Sequence, residues 1–222
     1  MSSFDQPFDY AGIRQILWDW NGTLVDDAPL SVRIINGVLA AYGLAAIDLA
    51  HHRRIFDFPL THYYERLGFD LKRWDFETVG ADFIRAYRER WSEAPLHADA
   101  LPALEAYRAS GLKQDILSAT RQDMLDQAID HYGLAPFFGS LTGQNNIYAR
   151  GKLEAGRRWL AGSGLRADQV LLIGDTLHDR DIALELGMRC ILVPRGHQAA
   201  EKMEDAGVPL RPDLRACLEG LV

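Results

Sequence analysis

Four short apolar runs recur along this chain, each ending in a polar or glycine-containing loop and each followed by a segment of helical period. The runs are RQILWDWNG, LKQDILSAT, DQVLLIGDT and MRCILVPRG. A strand that is apolar throughout is typical of a parallel sheet, because crossover helices cover both of its faces. The order strand, helix, strand from about residue 95 onward therefore predicts an α/β fold with a doubly wound parallel sheet.

Three helical segments between these runs carry their own stop signals. A glycine follows each one: Gly111 after LPALEAYRAS, Gly133 after QDMLDQAIDHY and Gly187 after IALEL. Glycine adopts the left-handed backbone conformation that closes many helices, because it has no Cβ to oppose it. We expect a helix to end at each of these positions.

The segment from about residue 28 to 92 breaks this alternation, since it contains no convincing strand and is dominated by helical periodicity. In PLSVRIINGVLAAYG, one stripe collects Val32, Ile35, Leu39 and Tyr42. FPLTHYYERLG and ETVGADFIRAYRERW predict two further helices. We therefore predict an α/β core domain of residues 1–27 and 93–222, with a small all-helical cap domain of residues 28–92 inserted after the first strand as a lid.

Length and charge narrow the functional classes. A chain of 222 residues that is 48% apolar can bury a real core, as one large domain or as a domain with a smaller insert. The net charge of -7 and the absence of a Lys/Arg block give little reason to bind nucleic acid. A small anion bound at one local site stays compatible with this charge.

Neither export nor membrane insertion is indicated. No stretch approaches the roughly 18 apolar residues of a membrane span, and the beginning, MSSFDQPFDYAG, lacks the order of a secretion signal. Cys190 and Cys217 stand in apolar surroundings without a CxxC or a histidine-rich partner, which favours buried free thiols over a disulfide or a zinc site. We expect a soluble cytoplasmic protein without a membrane partner.

Polar residues of catalytic type cluster where the predicted strands end. They form four groups: Asp19 with Asn21, Gly22 and Thr23; Ser118 with Ala119 and Thr120; Lys152 in ARGKLEAG; and Asp175 with Asp179 in IGDTLHDRD. In an open parallel sheet, ligands bind beyond the carboxyl ends of the strands. We expect the four groups to meet there, each at a strand end.

Two of these groups supply carboxylates suited to phosphoryl transfer, which needs a nucleophile, neutralisation of the phosphate oxygens and a bridging cation. Asp19 can form an aspartyl-phosphate, although by itself it is also compatible with capping a turn. Asp175 and Asp179 offer the oxygen ligands that Mg²⁺ prefers. An aspartate ahead of a helix, such as Asp175, also serves as an N-cap.

The other two groups supply partners for an anion. Ser118 offers its hydroxyl to a phosphate oxygen, aided by nearby backbone N–H groups, and capping of the next helix is its alternative role. Lys152 offers a point charge to phosphate and to the nucleophile, whereas most lysines are solvated surface charges. The pattern leaves Thr120 without an assigned role. Charged residues of the predicted cap are expected to be solvated rather than to contact substrate: Arg53, Arg54, His62 and Arg66.

In this order, the four groups resemble the motifs of the haloacid dehalogenase superfamily, specifically its phosphatases with a helical cap after the first motif. The resemblance spans nearly the whole chain. In length and order of motifs, the chain looks like the phosphoglycolate phosphatase branch. It implies a Rossmann-like core, a Mg²⁺ cofactor and a small phosphorylated metabolite as substrate. By this resemblance the catalytic residues are Asp19, Asn21 and Lys152; the phosphate-binding residues are Gly22, Ser118, Ala119 and Lys152; the metal ligands are Asp19, Asn21 and Asp175; and the supporting residues are Thr23 and Asp179.

Asn21 departs from the resembled pattern. Most phosphatases of that family carry an aspartate here, which protonates the leaving oxygen and later deprotonates the attacking water. The backbone carbonyl that would bind the metal is kept, but a side-chain amide cannot deliver a proton and take it back. General acid–base catalysis is typically worth about 10²–10⁴-fold in rate, so the loss is serious.

Three hypotheses follow from Asn21. The enzyme either favours good leaving groups or recruits another acid, for which the candidates are Asp26, Asp27 and His178. Partial deamidation of Asn21 ahead of a glycine is a second hypothesis. The third is a catalytically weakened protein that binds phosphate ligands or acts as a regulator. A dehalogenase is disfavoured, because its reaction would not need Asp175 and Asp179 as carboxylates for a metal ion.

Overall fold

A single parallel sheet forms the centre of the molecule. The computed structural model describes residues 3, 4, 6–144 and 151–220. In this part of the chain five strands pair in the order β3-β2-β1-β4-β5, all of them parallel. Their bounds are β1 Gln15–Trp18, β2 Lys113–Arg121, β3 Leu141–Gln144, β4 Val170–Gly174 and β5 Arg189–Leu192. The predicted α/β class with a parallel sheet is confirmed.

Helices follow the strands and cover both faces of the sheet. Eight lie in the described residues: α1 Ala28–Ala41, α2 Leu49–Ile55, α3 Leu60–Arg66, α4 Phe76–Arg90, α5 Ala100–Ala109, α6 Gln122–His131, α7 Lys152–Ser163 and α8 Leu177–Leu186. Short 3₁₀ helices add Trp91–Glu93, Ala135–Phe137, Ala167–Gln169, Ala200–Lys202 and Ala216–Leu218. The three predicted glycine stops have positive φ angles of 84° at Gly111, 68° at Gly133 and 71° at Gly187. These stops are therefore confirmed.

Side chains of β1 alternate between two apolar layers. Ile16 and Trp18 pack with residues of α5 and α6, whereas Leu17 packs with residues of α7 and α8. All three side chains are fully buried, and each such burial contributes roughly 1.5–3 kcal/mol. This alternation explains why the run is apolar at every position, and it fixes β1 at the centre of the sheet.

Helices α1 to α4 lie in the chain between β1 and α5 and build a separate apolar cluster. From the predicted stripe of α1, Val32, Ile35 and Leu39 are buried, and Tyr42 packs against the edge of the cluster. The sequence prediction missed α2, which is seven residues long and begins after Asp48, whose carboxylate accepts from His51 N at 2.6 Å. The division into core 1–27 and 93–222 and cap 28–92 stays a prediction.

Strand order places β1 between β2 and β4, so the chain leaves β1 toward one edge of the sheet and later returns to the other. Ligands bind at such a switch point, beyond the carboxyl ends of the strands. Trp18, the last residue of β1, pairs with Ile116 on one side and with Ile173 on the other. The residues that follow these three positions therefore face a common crevice.

Two expected positions are wrong in detail. Ser118 and Thr120 lie within β2, which continues to Arg121, rather than at its end. The pairing of β2 with β3 is irregular between Leu117 and Arg121. Lys152 is the first residue of α7 and does not lie at a strand end; a helix that begins at the crevice brings its first side chain there equally well.

The remaining expectations concern thiols and membranes. Cys190 and Cys217 are buried free thiols, as predicted. Among the described helices, none has the length and apolarity that a bilayer crossing requires. The cytoplasmic location stays a prediction.

Candidate active site

Asp19, Asp175 and Asp179 form a buried carboxylate cluster at the carboxyl edge of the sheet. One oxygen from each lies within 4.8 Å of the others. Lys152 Nζ donates to Asp19 Oδ1 and, at 2.5 Å, to Asp179 Oδ1. The crevice therefore brings together residues from three of the four predicted groups.

Local structure explains how each carboxylate reaches the cluster. Asp19 directly follows β1 and Asp175 directly follows β4. Asp179 lies in the first turn of α8, where its Oδ2 accepts from Thr176 N at 3.1 Å and from Thr176 Oγ1 at 2.6 Å. Thr176 is the N-cap of that helix, so the alternative role of Asp175 as the cap is wrong. Thr23 Oγ1 donates to Asp19 Oδ2 at 3.0 Å.

Charge in the cluster is unbalanced, because one ammonium faces three carboxylates. Burial raises the pKa of Asp19 to about 6, against the opposing effect of Lys152. Burial also raises the pKa of Asp175 well above its usual range. Burial lowers the pKa of Lys152, but Asp179 and Asp19 outweigh it and keep the ammonium protonated. Hard oxygen donors with excess negative charge fit a divalent cation such as Mg²⁺.

The phosphate-binding residues of the resembled pattern lie next to this cluster. Ser118 and Ala119 line a cavity of about 90 Å³ together with Asp19 and Lys152. Ser118 is buried, and its Oγ accepts from Thr120 N at 3.0 Å. The alternative role of Ser118, capping of the next helix, is not seen, since the N-cap of α6 is Arg121. Ser118 and Ala119 therefore border the same cavity as the Asp19 carboxylate and the Lys152 ammonium.

Gly22 allows the loop after β1 to approach Asp175. Its φ is 76°, and a Cβ at this position would lie 2.7 Å from Asp175 Cγ and 2.8 Å from His197 Cδ2. Both the conformation and the contact exclude a larger side chain. The expected close approach of the backbone at Gly22 is therefore present.

Asn21 is fully engaged by neighbouring side chains. Its Nδ2 donates to Asp27 Oδ2 at 2.7 Å and to the Tyr87 hydroxyl at 2.8 Å. Its Oδ1 accepts from Thr120 Oγ1. Thr120, to which the sequence assigned no role, thus holds the amide in place, and Tyr87 links it to the helical segment through α4.

Asp27, one of the three candidate replacement acids, is a buried anion. Besides Asn21, it accepts from Gly22 N at 2.9 Å, from the Tyr87 hydroxyl at 2.8 Å and from His197 Nε2 at 3.2 Å. Burial raises the pKa of Asp27, but the charge of His197 and these hydrogen bonds hold it below its usual value. An ionised carboxylate cannot donate a proton to a leaving oxygen.

His197 is a member of this network that the sequence prediction missed. Its backbone N donates to Asp175 Oδ2 at 2.6 Å, and its Nδ1 lies 3.1 Å from His52 Nε2. Burial by itself lowers the pKa of His197. The negative charges of Asp27 and Asp175 outweigh this effect and raise the pKa to about 9. Burial and the charge of His197 lower the pKa of His52 to about 2. His197 is therefore the charged member and His52 the neutral one.

The other candidate acids and cap residues occupy distinct positions. His178 lines the 90 Å³ cavity and stacks on Phe58 with ring centroids 4.3 Å apart. Asp26 does not line that cavity. Arg53 donates to the Gly196 carbonyl at 2.9 Å and Arg66 to Asp57 at 3.0 Å, so these two guanidinium groups are engaged elsewhere.

The fold is an α/β fold, and its buried carboxylate cluster lies at the carboxyl edge of the sheet. The sequence model of the haloacid dehalogenase-like hydrolases matches residues 16–193, and the chain belongs to that family. The match spans both the sheet and the helical segment, and it confirms the resemblance.

Individual relatives are phosphatases by name. The chain is 26% identical over 187 residues to a phosphoglycolate phosphatase of Rhodobacter capsulatus. The aligned region covers 82% of this chain and 85% of that protein. It is 28% identical over 195 residues to a 5'-nucleotidase of Pseudomonas aeruginosa, over 85% and 86% of the two chains. Together with the family, these relatives support a phosphatase.

A solved structure supports the fold alone. Protein tyrosine kinase A of Mycobacterium tuberculosis superposes with a TM-score of 0.79 at 21% identity, over 94% of this chain and 98% of that one. A fold can host different reactions, so this likeness carries no statement about activity.

Proposed function

We propose that this chain is a Mg²⁺-dependent phosphatase that hydrolyses a small phosphorylated metabolite through an aspartyl-phosphate on Asp19. The observation that carries the proposal is the buried Asp19 carboxylate, which is held between Lys152 and Thr23 and lines a cavity of about 90 Å³. The phosphatase names of the relatives support the reaction class. No nucleic acid or membrane partner is part of the proposal.

The first chemical step belongs to Asp19. One carboxylate oxygen attacks phosphorus, the P–O bond to the leaving group breaks, and the phosphoryl group becomes esterified to Asp19. Water then attacks phosphorus and the P–O bond to Asp19 breaks; inorganic phosphate is released, the proton lost by the water passes to that phosphate or to solvent, and the Asp19 carboxylate is free again. Thr23 and Lys152 orient Asp19, while Gly22, Ser118, Ala119 and Lys152 surround the phosphate.

The cation would be held by Asp19, Asp175 and the backbone carbonyl of Asn21, with Asp179 keeping Lys152 in position. When bound, Mg²⁺ supplies charge neutralisation for the phosphate oxygens. The helical segment, residues 28–92, acts in this proposal as a cap that limits the entry of water.

Asp19→Asn is the direct test. Release of phosphate from a panel of phosphate esters with Mg²⁺ should fall about 10³-fold or more, because the amide is a poor nucleophile. Acid-quenched wild-type protein should carry a phosphoryl group on the peptide that contains Asp19, and the variant should not. The matched control is Asp126→Asn on the exposed face of α6, which should leave both results unchanged.

Two outcomes would contradict the proposal. An active Asp19→Asn variant would remove Asp19 as the nucleophile. Thermal stabilisation of the wild type by phosphate esters, without any release of phosphate, would instead favour the binding or regulatory function that Asn21 first suggested.

A further inference from the structure

A second, larger cavity adjoins the phosphate cavity on the side of the helical segment. It has a volume of about 200 Å³, and an apolar cavity of about 150 Å³ is known to accommodate one benzene ring. The two cavities share five lining residues: Asn21, Phe56, Phe58, Ala119 and His197. A group attached to a phosphate in the smaller cavity would therefore extend into the larger one.

The walls of this larger cavity are largely apolar, and seven of the lining residues are Phe or Tyr. Rings come from α3, α4 and the loop before α3: Phe56, Phe58, Tyr63, Tyr64, Phe76, Phe83 and Tyr87. Aromatic faces and edges pack favourably against another ring. The wall composition therefore favours a flat apolar group over a polar chain.

Two guanidinium groups among the described residues line this cavity, and both lie beside the same carboxylate, that of Asp123. Arg121 donates to Asp123 at 2.5 Å, and Arg88 lies 4.0 Å from the same carboxylate. The charge of His197 is matched by Asp27 at 3.2 Å. A second anionic group on the substrate, such as the carboxylate of phosphoglycolate, would leave water for walls that are largely apolar.

The side-chain amide of Asn21 and the hydroxyl of Tyr87 offer the leaving oxygen no free proton. Both N–H groups of Asn21 are used by Asp27 and Tyr87, and the Tyr87 hydroxyl proton is used by Asp27. A phenol, like the tyrosine side chain, has a pKa of about 10. An alkyl alcohol resembles water, whose pKa is about 16. An aryl oxide therefore leaves with much less help than an alkoxide.

We propose that the preferred substrate is an aryl phosphate monoester whose uncharged ring occupies this aromatic cavity, an assignment that rests on the proposed phosphatase function. Three observations converge on it: the shared lining, the aromatic rings in the walls and the engaged amide of Asn21. The ring fills the cavity while the phosphate lies beside Asp19 and Lys152.

The first test compares phenyl phosphate, benzyl phosphate and phosphoglycolate with Mg²⁺. We expect kcat/KM to be at least about tenfold higher for phenyl phosphate than for phosphoglycolate. Benzyl phosphate keeps the ring but has an alkyl leaving oxygen, so it should show a similar KM and a lower kcat. Phosphoglycolate hydrolysed as well as phenyl phosphate would overturn the assignment and leave the phosphatase intact. Failure of all three esters would overturn the phosphatase proposal itself.

Binding is tested separately from leaving-group reactivity with two phosphonates. Benzylphosphonate and phosphonopropionate replace the ester oxygen of phenyl phosphate and phosphoglycolate by a methylene group. Benzylphosphonate should inhibit at least about tenfold more tightly. Equal inhibition would overturn the assignment of the cavity.

A cation placed on the wall should reverse the preference. Ile84 lines the cavity, and Ile84→Arg should raise kcat/KM for phosphoglycolate while lowering it for phenyl phosphate, each by about tenfold. The matched control is Ala81→Arg on the exposed side of the same helix, which should change neither. Thermal unfolding of the variant identifies damage to folding; in an Ile84→Arg variant that melts like the wild type, unchanged rates or a parallel loss on both substrates would contradict the proposal.

Discussion

The side-chain amide of Asn21 donates to Asp27 Oδ2 at 2.7 Å, and this contact explains why position 21 carries an amide. An aspartate at the same place would set two carboxylates against each other in a partly buried site. The pair Asn21–Asp27 instead carries a single negative charge, which His197 balances.

Asn21→Asp should make stability depend on pH and should also restore a proton donor. Two carboxylates in contact raise the pKa of one of them above its unfolded value, so the penalty is absent at low pH and develops as pH rises above about 4. Urea unfolding should show a loss of about 1–3 kcal/mol at pH 8 and little loss at pH 4. Turnover of benzyl phosphate should rise relative to phenyl phosphate.

The matched control for this change exchanges the two side chains. Asn21→Asp combined with Asp27→Asn restores one amide and one carboxylate, and should recover most of the lost stability. Equal rate changes for benzyl and phenyl phosphate in the single variant would remove the proton-donor explanation.

Sequence patterns predict an element well when both faces of it are buried by neighbours in the chain. The apolar runs of β1, β2, β4 and β5 are of this kind, and each one forms a strand. By contrast, β3 has the sequence LTGQ and is mostly half-buried, so no apolar run marks it. The same holds for α2, LAHHRRI, in which only His52 is buried.

Site residues divide by the same rule. Asp19 and Asp175 were predictable because each directly follows a recognisable strand. His197 follows β5 in VPRGHQ, so a polar residue beyond a predicted strand was the available signal. Its contact with Asp27, 170 positions away, arises only when two loops pack, and no spacing along the chain encodes that contact.

Stabilisation by Mg²⁺ should increase with pH. Burial raises the pKa of Asp19 to about 6 and that of Asp175 well above its usual range, so protons compete with the cation at pH 5 and much less at pH 8. Saturating Mg²⁺ should raise the free energy of unfolding by roughly 1–3 kcal/mol at pH 8. Each kcal/mol corresponds to about 2–4 °C in melting temperature. Thermal unfolding at both pH values measures the difference.

Asp175→Asn should abolish this Mg²⁺ effect, and the exposed Asp126→Asn should keep it. A melting-temperature shift that is equal at pH 5 and pH 8, or that survives in Asp175→Asn, would show that the cation binds elsewhere.

His197→Gln should remove a stability contribution that exists only at lower pH. The folded pKa of His197, about 9, lies above the unfolded value of about 6.5. Its contribution is therefore fully present below about pH 6.5 and is lost as pH rises through 9. In metal-free protein the free energy of unfolding of the wild type should exceed that of the variant by on the order of 2–3 kcal/mol at pH 6. The difference should be much smaller at pH 9.5.

Urea unfolding of both proteins at the two pH values tests this prediction. His62→Gln is the matched control, because His62 is an exposed histidine of α3. A difference between wild type and His197→Gln that does not change with pH would indicate lost packing rather than a lost charge pair.

Lys152→Met should expose how strongly the carboxylate cluster depends on its one ammonium. Without Nζ, Asp19, Asp175 and Asp179 would lie within 4.8 Å of one another with no cation nearby in metal-free protein. Breaking a buried pair from one side typically costs about 3–5 kcal/mol, and here the cost should grow with pH, since protonated carboxylates do not repel. Lys152→Arg keeps the charge and should lose less stability. In urea unfolding at pH 5 and pH 8, a Lys152→Met variant as stable as the wild type at pH 8 would mean that Lys152 does not offset the charge of the cluster.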